Sequence, residues 1–363
     1  MKRVNNLFDA INSFENLLKA AQKAQRGKRF KSSTAVFNLN LEKELLKLQD
    51  ELRDFSYKHG GYRDFFVFDP KQRLISAAPY RDRVVHHAIC NVIEPIFDKT
   101  FIHDSYACRK DKGSHAALNR YTQYSRKNTF VLKCDIQKYF QSIDHKILME
   151  YIKRKIKCQR TIRLIGEIIN TRADKNFPFY FPGDDLFTPI NRKKGIPIGN
   201  LTSQFFANVY LNRFDHHIKE DLKCRYYIRY VDDFVIFSDS KDHLNNIKEK
   251  IEDYLTQLRL KLHPNKSRVF HTDEGVNFLG FKIFPTHRIL KKQNILYMRR
   301  RLKKMKYQYD QGEISFDKVI HRIRSWLGHA KHGDTYRMYC RLIGSVFFKR
   351  GTVKGSARRL VEQ

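Results

Sequence analysis

The chain has 363 residues, 41% of them hydrophobic, enough to bury a sizeable core and to exclude wholesale disorder. Its 71 lysines and arginines stand against 38 acids, and the resulting net charge of +33 calls for a polyanionic partner. Nucleic acid fits this better than an anionic membrane surface, which would want an amphipathic basic helix as its anchor, and the sequence has no apolar run of spanning length.

Near the start, Leu7, Ile11, Phe14, Leu17, Leu18 and Ala21 share one helical face and predict a helix over residues 5–24. A basic linker, Gln25-Arg26-Gly27-Lys28-Arg29, ends it. A second helix is expected over Leu39–Phe55, with Leu41, Leu45, Leu48 and Leu52 in phase. Phe65–Phe68 and Arg73–Ser76 read as two strands joined by Asp69-Pro70-Lys71-Gln72. Helix returns over residues 81–98, and Phe130–Cys134 forms a short buried strand. Residues 171–194, richer in Pro, Gly and aromatics, read as an exposed hairpin or insertion. Helices follow over Ser203–Leu222 and Asp242–Leu258, and the chain is helical and basic from about Leu290. There Arg299, Arg300, Arg301, Lys303 and Lys304 are the densest charge run, read as a surface for the nucleic-acid backbone. The cysteines (Cys90, Cys108, Cys134, Cys158, Cys224, Cys340) show no CxxC pair or metal-ligand spacing. They read, with the absence of a signal stretch, as reduced thiols of a soluble cytoplasmic protein.

The chemistry concentrates at Tyr230-Val231-Asp232-Asp233. Apolar runs flank this acidic pair, Tyr226-Tyr227-Ile228 before it and Phe234–Phe237 after it, which predicts a β-hairpin with carboxylates at its turn. Carboxylates beside a buried sheet are costly unless a cation neutralises them, and hard divalent ions take such oxygen ligands. A third acid is required if two ions are to bridge a transferring phosphoryl group. Asp135, at the end of the 130–134 strand, is the candidate. Strand alternation gives Asp232 the bridging role and Asp233 a secondary one. Asp144 reads as a helix cap, and Asp184-Asp185 as a turn. Lys71 and Arg73 are candidates to meet a triphosphate. Phe140, five residues after Asp135, sits where a ring could exclude a ribose 2′-hydroxyl.

The ordered blocks Arg73-Leu74-Ile75, Cys134–Phe140, Gly195–Gln204, Tyr230–Asp233 and Asn277-Phe278-Leu279-Gly280 resemble those of reverse transcriptases, over roughly residues 60–290. Within that superfamily the chain looks most like the enzymes of diversity-generating retroelements. Those carry Ile-Gly-x-x-x-Ser-Gln where others commonly carry Gln-Gly-x-x-x-Ser-Pro, and this chain has Ile198-Gly199 and Ser203-Gln204. Phe278–His287 and Ser325–Ala330 also look like that family.

The resemblance implies an α+β right-hand polymerase, its palm an antiparallel sheet packed on helices. A helical extension (1–58), fingers and palm (59–288) and a basic helical thumb (289–363) would follow in order. It implies a metal site of Asp135, Ile136, Asp232 and Asp233 holding two Mg²⁺, with Mn²⁺ a possible substitute. Lys266 becomes the candidate proton donor to pyrophosphate. Arg73, Lys71, Phe140, Ile198, Gly199 and Gln204 would surround the nucleotide, with Phe278-Leu279-Gly280 as primer grip. The implied partners are a template-repeat RNA, the cDNA primer–template, dNTPs and a small basic accessory variability protein. Copying would be error-prone opposite adenines. Isoleucine at position 198 offers only apolar contact where glutamine could hydrogen-bond, which weakens discrimination that depends on polar fit.

Rival readings are a retron, abortive-infection or group II intron reverse transcriptase, and a non-catalytic RNA-binding relative. The Ile-Gly block and the missing endonuclease-like extension count against an intron protein, and too little chain follows the thumb for an RNase H domain. Intact Asp135 and Asp232 count against a non-catalytic relative.

Overall fold

A computed structural model describes residues 3–68, 72–172 and 179–349. In chain order the elements are α1 (Phe8–Asn12), α2 (Phe14–Ala24), α3 (Ser32–Leu39), α4 (Leu41–Arg53), β1 (Arg63–Val67), β2 (Arg73–Ala77) and α5 (Tyr80–Asp98). Then come α6 (Ser114–Ser125), β3 (Phe130–Asp135), α7 (Tyr139–Ser142), α8 (His145–Lys155), α9 (Gln159–Asn170), α10 (Thr188–Asn191) and α11 (Leu201–His216). The hairpin β4 (Tyr227–Tyr230) and β5 (Asp233–Ser238) precedes α12 (Lys241–Gln257), β6 (Arg268–His271), β7 (Val276–Phe278), β8 (Phe281–Ile283) and β9 (Arg288–Leu290). Helices α13 (Lys292–Asp310), α14 (Phe316–Ala330) and α15 (Tyr336–Gly344) complete the described chain.

Two compact units result. The first is formed by the residues up to Ala117 with Leu132–Val269, the second by Leu118–Val131 with the residues from Phe270 on. The segment up to residue 58 therefore belongs to the same unit as the Asp232 hairpin. A four-stranded sheet runs in the order β4-β5-β3-β6, and β1 and β2 form a separate antiparallel pair in the first unit. The sheet is apolar on both faces: Leu132, Cys134, Tyr227, Ile228 and Phe234–Phe237 are all buried. Helix α12 covers β5 with Leu244, Ile247, Ile251 and Leu255, one stripe at helical spacing. Ser240 starts it by accepting the His243 N–H at 3.1 Å.

The second unit contains the sheet β7-β8-β9 and the last three helices. Phe278 pairs with Phe281, leaving Leu279-Gly280 as a two-residue turn with φ of 43° and 91°. Both values are positive, as a type I′ hairpin turn requires. Met298, Leu302 and Met305 on α13 form a core with Ile314, Val319 and Leu342. Arg299, Arg300, Lys303 and Lys304 are exposed and Arg301 half-buried, so the predicted charge run lies off that apolar stripe.

Several elements depart from expectation. The first helix breaks at Ser13, whose extended backbone lets its hydroxyl accept the Asn16 N–H, so α1 and α2 replace one continuous helix. Helices α3, α6 and α9 stand where none was predicted. Of the two readings of residues 171–194, a hairpin or an insertion, the described part does not form the hairpin: it holds the short α10 and no strand. There Asp184 accepts the Phe181 N–H and pairs with Arg192, and Asp185 accepts the Phe187 and Thr188 N–H groups. That acidic pair is a turn, as expected. Asp144 caps α8 by accepting from the Lys146 and Ile147 N–H groups, also as expected.

Candidate active site

The Asp232 hairpin is tight. Tyr230 pairs with Asp233, so Val231-Asp232 is the whole turn. Val231 has φ of 58°, a left-handed conformation that is strained for a β-branched residue and persists only where its surroundings impose it. The imposing group is Arg229, fully buried on β4, whose Nη1 donates to the Val231 carbonyl at 3.0 Å. The rest of its guanidinium is fixed. Nε and Nη2 donate to the two carboxylate oxygens of Asp215 at 2.7 and 2.6 Å, Nη1 to Asn208 Oδ1 and Nη2 to Ser105 Oγ, both at 3.1 Å. Tyr227 donates its hydroxyl to the same Asp215 at 2.7 Å. Asp215 and Asn208 come from α11, which thereby anchors the acidic turn. None of these residues was foreseen as part of the site. The available signal was an arginine within an otherwise apolar strand, one residue before the motif.

Asp135 ends β3 beside this turn. The Ile136 N–H donates to the Asp232 carbonyl at 3.3 Å, and the Asp135 carbonyl accepts from the His263 N–H at 2.8 Å. Lys266 Nζ donates to Asp135 Oδ1 at 2.9 Å. Burial pushes the Asp232 carboxyl up to about 6, and the charges of Asp233 and Asp135 push the same way while Lys266 opposes them. The structure thus brings Asp135, Asp232, Asp233 and Lys266 into one electrostatic cluster. Among the described residues, no three or more His, Cys, Asp or Glu side chains gather closely enough to enclose a metal ion. Lys266 is instead the cation in contact with Asp135. Oxygen donors that include one largely buried carboxylate, its pKa raised by burial and by neighbouring acids, fit a hard divalent ion chemically, because such an ion relieves their mutual repulsion.

The Gly-rich block approaches from another side. The Ile196 N–H donates to the Phe140 carbonyl at 2.8 Å, and the Ile198 carbonyl accepts from the Ser76 N–H of β2 at 3.0 Å. Phe140 is half-buried, edge-on to Tyr139 at 5.6 Å, and Ile198 is half-buried beside β2. Gly199 has φ of 113°, and a Cβ there would lie 2.9 Å from Ile75 Cγ2. Gly199→Ala is accordingly expected to lose about 1–3 kcal/mol of stability through strain and clash, read by chemical denaturation. An unchanged midpoint would contradict this. Arg73 is exposed at the start of β2, Gln204 is exposed in the first turn of α11 and accepts from Cys108 Sγ at 3.4 Å, and Lys71 lies outside the described residues.

A family model for reverse transcriptase (RNA-dependent DNA polymerase) matches residues 58–283, more than half of the chain. The chain belongs to the reverse transcriptase family. It is a nucleotidyltransferase of the RNA-directed DNA polymerase class, with the α+β fold expected of one. Protein YkfC of Escherichia coli K12 is 25% identical over 300 residues, covering 71% of this chain and 74% of YkfC. The group II intron-encoded protein LtrA of Lactococcus lactis subsp. cremoris is 21% identical over 308 residues, covering 67% of this chain but 50% of LtrA. Among solved structures, telomerase from Candida albicans, in complex with a fragment of telomeric RNA, covers 81% of this chain and 56% of its own. Its TM-score is 0.43 at 11% identity.

In this reverse transcriptase the family match spans both the Asp135 strand and the Asp232 hairpin, together with the β7-β8 turn of Phe278-Leu279-Gly280. Gly280 is held at that turn by more than its φ: a Cβ would come within 3.1 Å of Asn294 Nδ2 and of His329 Nε2. No described helix is long and apolar enough to cross a membrane.

Proposed function

We propose that this reverse transcriptase makes error-prone cDNA from a template-repeat RNA, as part of a diversity-generating retroelement that rewrites a target gene. The observation that carries the reading is the Ile198-Gly199 and Ser203-Gln204 block, tied by its backbone to both Phe140 and β2. Asp135 and Asp232, with Asp233 and the Ile136 carbonyl, would hold two Mg²⁺ ions, or Mn²⁺ in their place. Bound there, such ions activate a primer 3′-hydroxyl and neutralise a leaving pyrophosphate. The chain's own residues do the rest. Lys266, which contacts Asp135, would give a proton to the departing pyrophosphate. The Phe140 ring, held beside the Gly-rich block, shuts out a 2′-hydroxyl and so selects deoxynucleotides. Arg73 and Lys71 offer positive charge to the triphosphate. Gly199 and Gln204 complete the nucleotide side, and Phe278-Leu279-Gly280 would hold the primer. The cations of α13, Arg299, Arg300, Lys303 and Lys304 exposed and Arg301 half-buried, would follow the primer–template backbone. A small basic accessory protein is the expected partner, and the cytoplasm of a bacterial or phage-infected cell the expected location.

Sequencing cDNA made by an Ile198→Gln variant tests the reading. A fall in misincorporation opposite template adenines, with other errors unchanged, is the expected result. An unchanged error spectrum would refute it. The similarity to LtrA favours a second reading, an enzyme that copies intron RNA. The neighbouring DNA separates the two: a near-repeat pair differing at adenines supports the first, an intron surrounding the gene the second.

A further inference from the structure

The second unit carries a pocket of about 350 Å³ that shares no residue with the acidic site. Its lining is Asn119, Thr122, Gln123, Arg126, Lys127 and Arg288: three cations, three neutral polar groups and no acid. Asn119, Thr122, Gln123 and Arg126 fall at helical spacing and so share one face along α6 and just past its end. Arg288 comes from the start of β9. The guanidiniums are held, not loose. Arg126 Nε donates to the Pro285 carbonyl at 2.9 Å, and Arg288 Nη2 donates to Asn119 Oδ1 at 2.8 Å. Arg288 Nη1 is buried, yet it finds no hydrogen-bond partner among the described residues. Burial lowers the Arg288 pKa, and the charge of Arg126 lowers it further against the opposing pull of Asp334. Two like charges fixed beside one orphaned donor favour an anion between them.

The C-terminal end of a helix ordinarily repels anions. Here two of the last four carbonyls are occupied, that of Thr122 by the Arg126 N–H at 3.2 Å and that of Tyr124 by two donors. The Leu118 carbonyl accepts from Thr122 Oγ1 at 3.0 Å, and the Tyr124 carbonyl accepts from Asn128 Nδ2 and from the Lys127 N–H at 2.8 and 3.0 Å. The neutral groups refine the ligand. Gln123 receives Arg120 Nη1 on its Oε1, which leaves its amide nitrogen as a donor, and Asn119 presents a second amide nitrogen. The Thr122 hydroxyl spends its proton on Leu118 and presents an acceptor.

We propose that this pocket holds one backbone phosphate of an RNA strand, with the adjoining ribose 2′-hydroxyl between Thr122 and Gln123. The cations meet the phosphate. A group that both donates and accepts is what the Thr122 acceptor and the Gln123 donor would recognise, and the 2′-hydroxyl is the feature that separates RNA from DNA.

The test uses the full chain, a short single-stranded RNA, a DNA of the same sequence, and inorganic phosphate, with anisotropy read across a salt series. Arg126→Gln/Lys127→Gln is expected to weaken RNA binding about tenfold and to lower the salt slope by about 0.7 for the lost phosphate. Gln123→Leu should reduce the preference for RNA over DNA while leaving the slope unchanged. Millimolar inorganic phosphate should not displace the RNA. RNA affinity and slope equal to wild type in the double variant would overturn the proposal. So would equal losses for RNA and DNA in Gln123→Leu, or displacement of RNA by phosphate in wild type but not in the double variant, which would mark the pocket as a site for free phosphate. Lys127 is exposed, so Lys127→Gln alone keeps the slope measurement possible if the double variant fails to fold.

Discussion

Asp232→Asn is expected to abolish primer extension while making the metal-free protein more stable. The two effects have one cause. Burial and the neighbouring acids raise the Asp232 carboxyl from 3.8 to about 6, so the folded protein holds this proton more tightly than the unfolded chain does. Linkage then sets the sign. The stabilisation is fully present below pH 3.8, declines as pH rises towards about 6, and is gone above it. Ionising Asp232 at neutral pH therefore costs the metal-free fold about 3 kcal/mol, an order of magnitude set by the size of the rise. Asparagine keeps the shape and removes the charge. Denaturation in EDTA across this pH range should show the wild type losing stability relative to the variant as pH rises, with parallel curves above pH 6. Adding Mg²⁺ should raise the wild-type midpoint and leave that of the variant nearly unchanged. Loss of several kcal/mol of charge stabilisation in the transition state corresponds to a fall in extension rate of about a thousandfold or more. Extension at the wild-type rate by Asp232→Asn would refute the assignment, and parallel pH curves throughout would refute the electrostatic account.

The acidic hairpin was legible because two strand-forming runs bracket Asp232-Asp233 so closely that only a two-residue turn fits between them. The structural acids were legible too. Asp144 stands immediately before a helical run, and Asp184-Asp185 lies among turn formers. Asp135 could be placed only because the strand before it is apolar at four of its five positions, Lys133 excepted, and so reads as buried. The support beneath the turn was hidden. An arginine in a strand ordinarily marks a solvent-facing position, and nothing local says that Arg229 is fully buried or that its counter-ion is Asp215, on the preceding helix. The break at Ser13 was hidden for a related reason. Apolar periodicity runs through it, whereas the side chain of Asn16 leaves the helical pattern to donate to the Ile11 and Ala88 carbonyls. Such pairings form only once distant segments meet.

Arg229 gives the second large effect. Arg229→Met leaves the Asp215 carboxylate buried without its ion-pair partner, a loss of about 3–5 kcal/mol. Pairing it with Asp215→Leu removes that charge and is expected to restore most of the stability, less about 1–3 kcal/mol for the hydrogen bonds that Tyr227, Asn208 and Ser105 forfeit. Activity should not return with it. In the double variant the Val231 carbonyl has lost its donor, so the left-handed turn can relax and move the Asp232 carboxylate away from Asp135. A displacement of about 1 Å in a catalytic group is enough to lower kcat about a hundredfold. Template–primer affinity should stay at the wild-type level, and the Mg²⁺ concentration for half-maximal activity should rise. This split separates positioning from bulk stability. A double variant that is as stable as expected and extends primers at the wild-type kcat would reduce Arg229 to a core ion pair. Slow extension with an unchanged Mg²⁺ requirement would show instead that the turn keeps its carboxylates in place without the arginine.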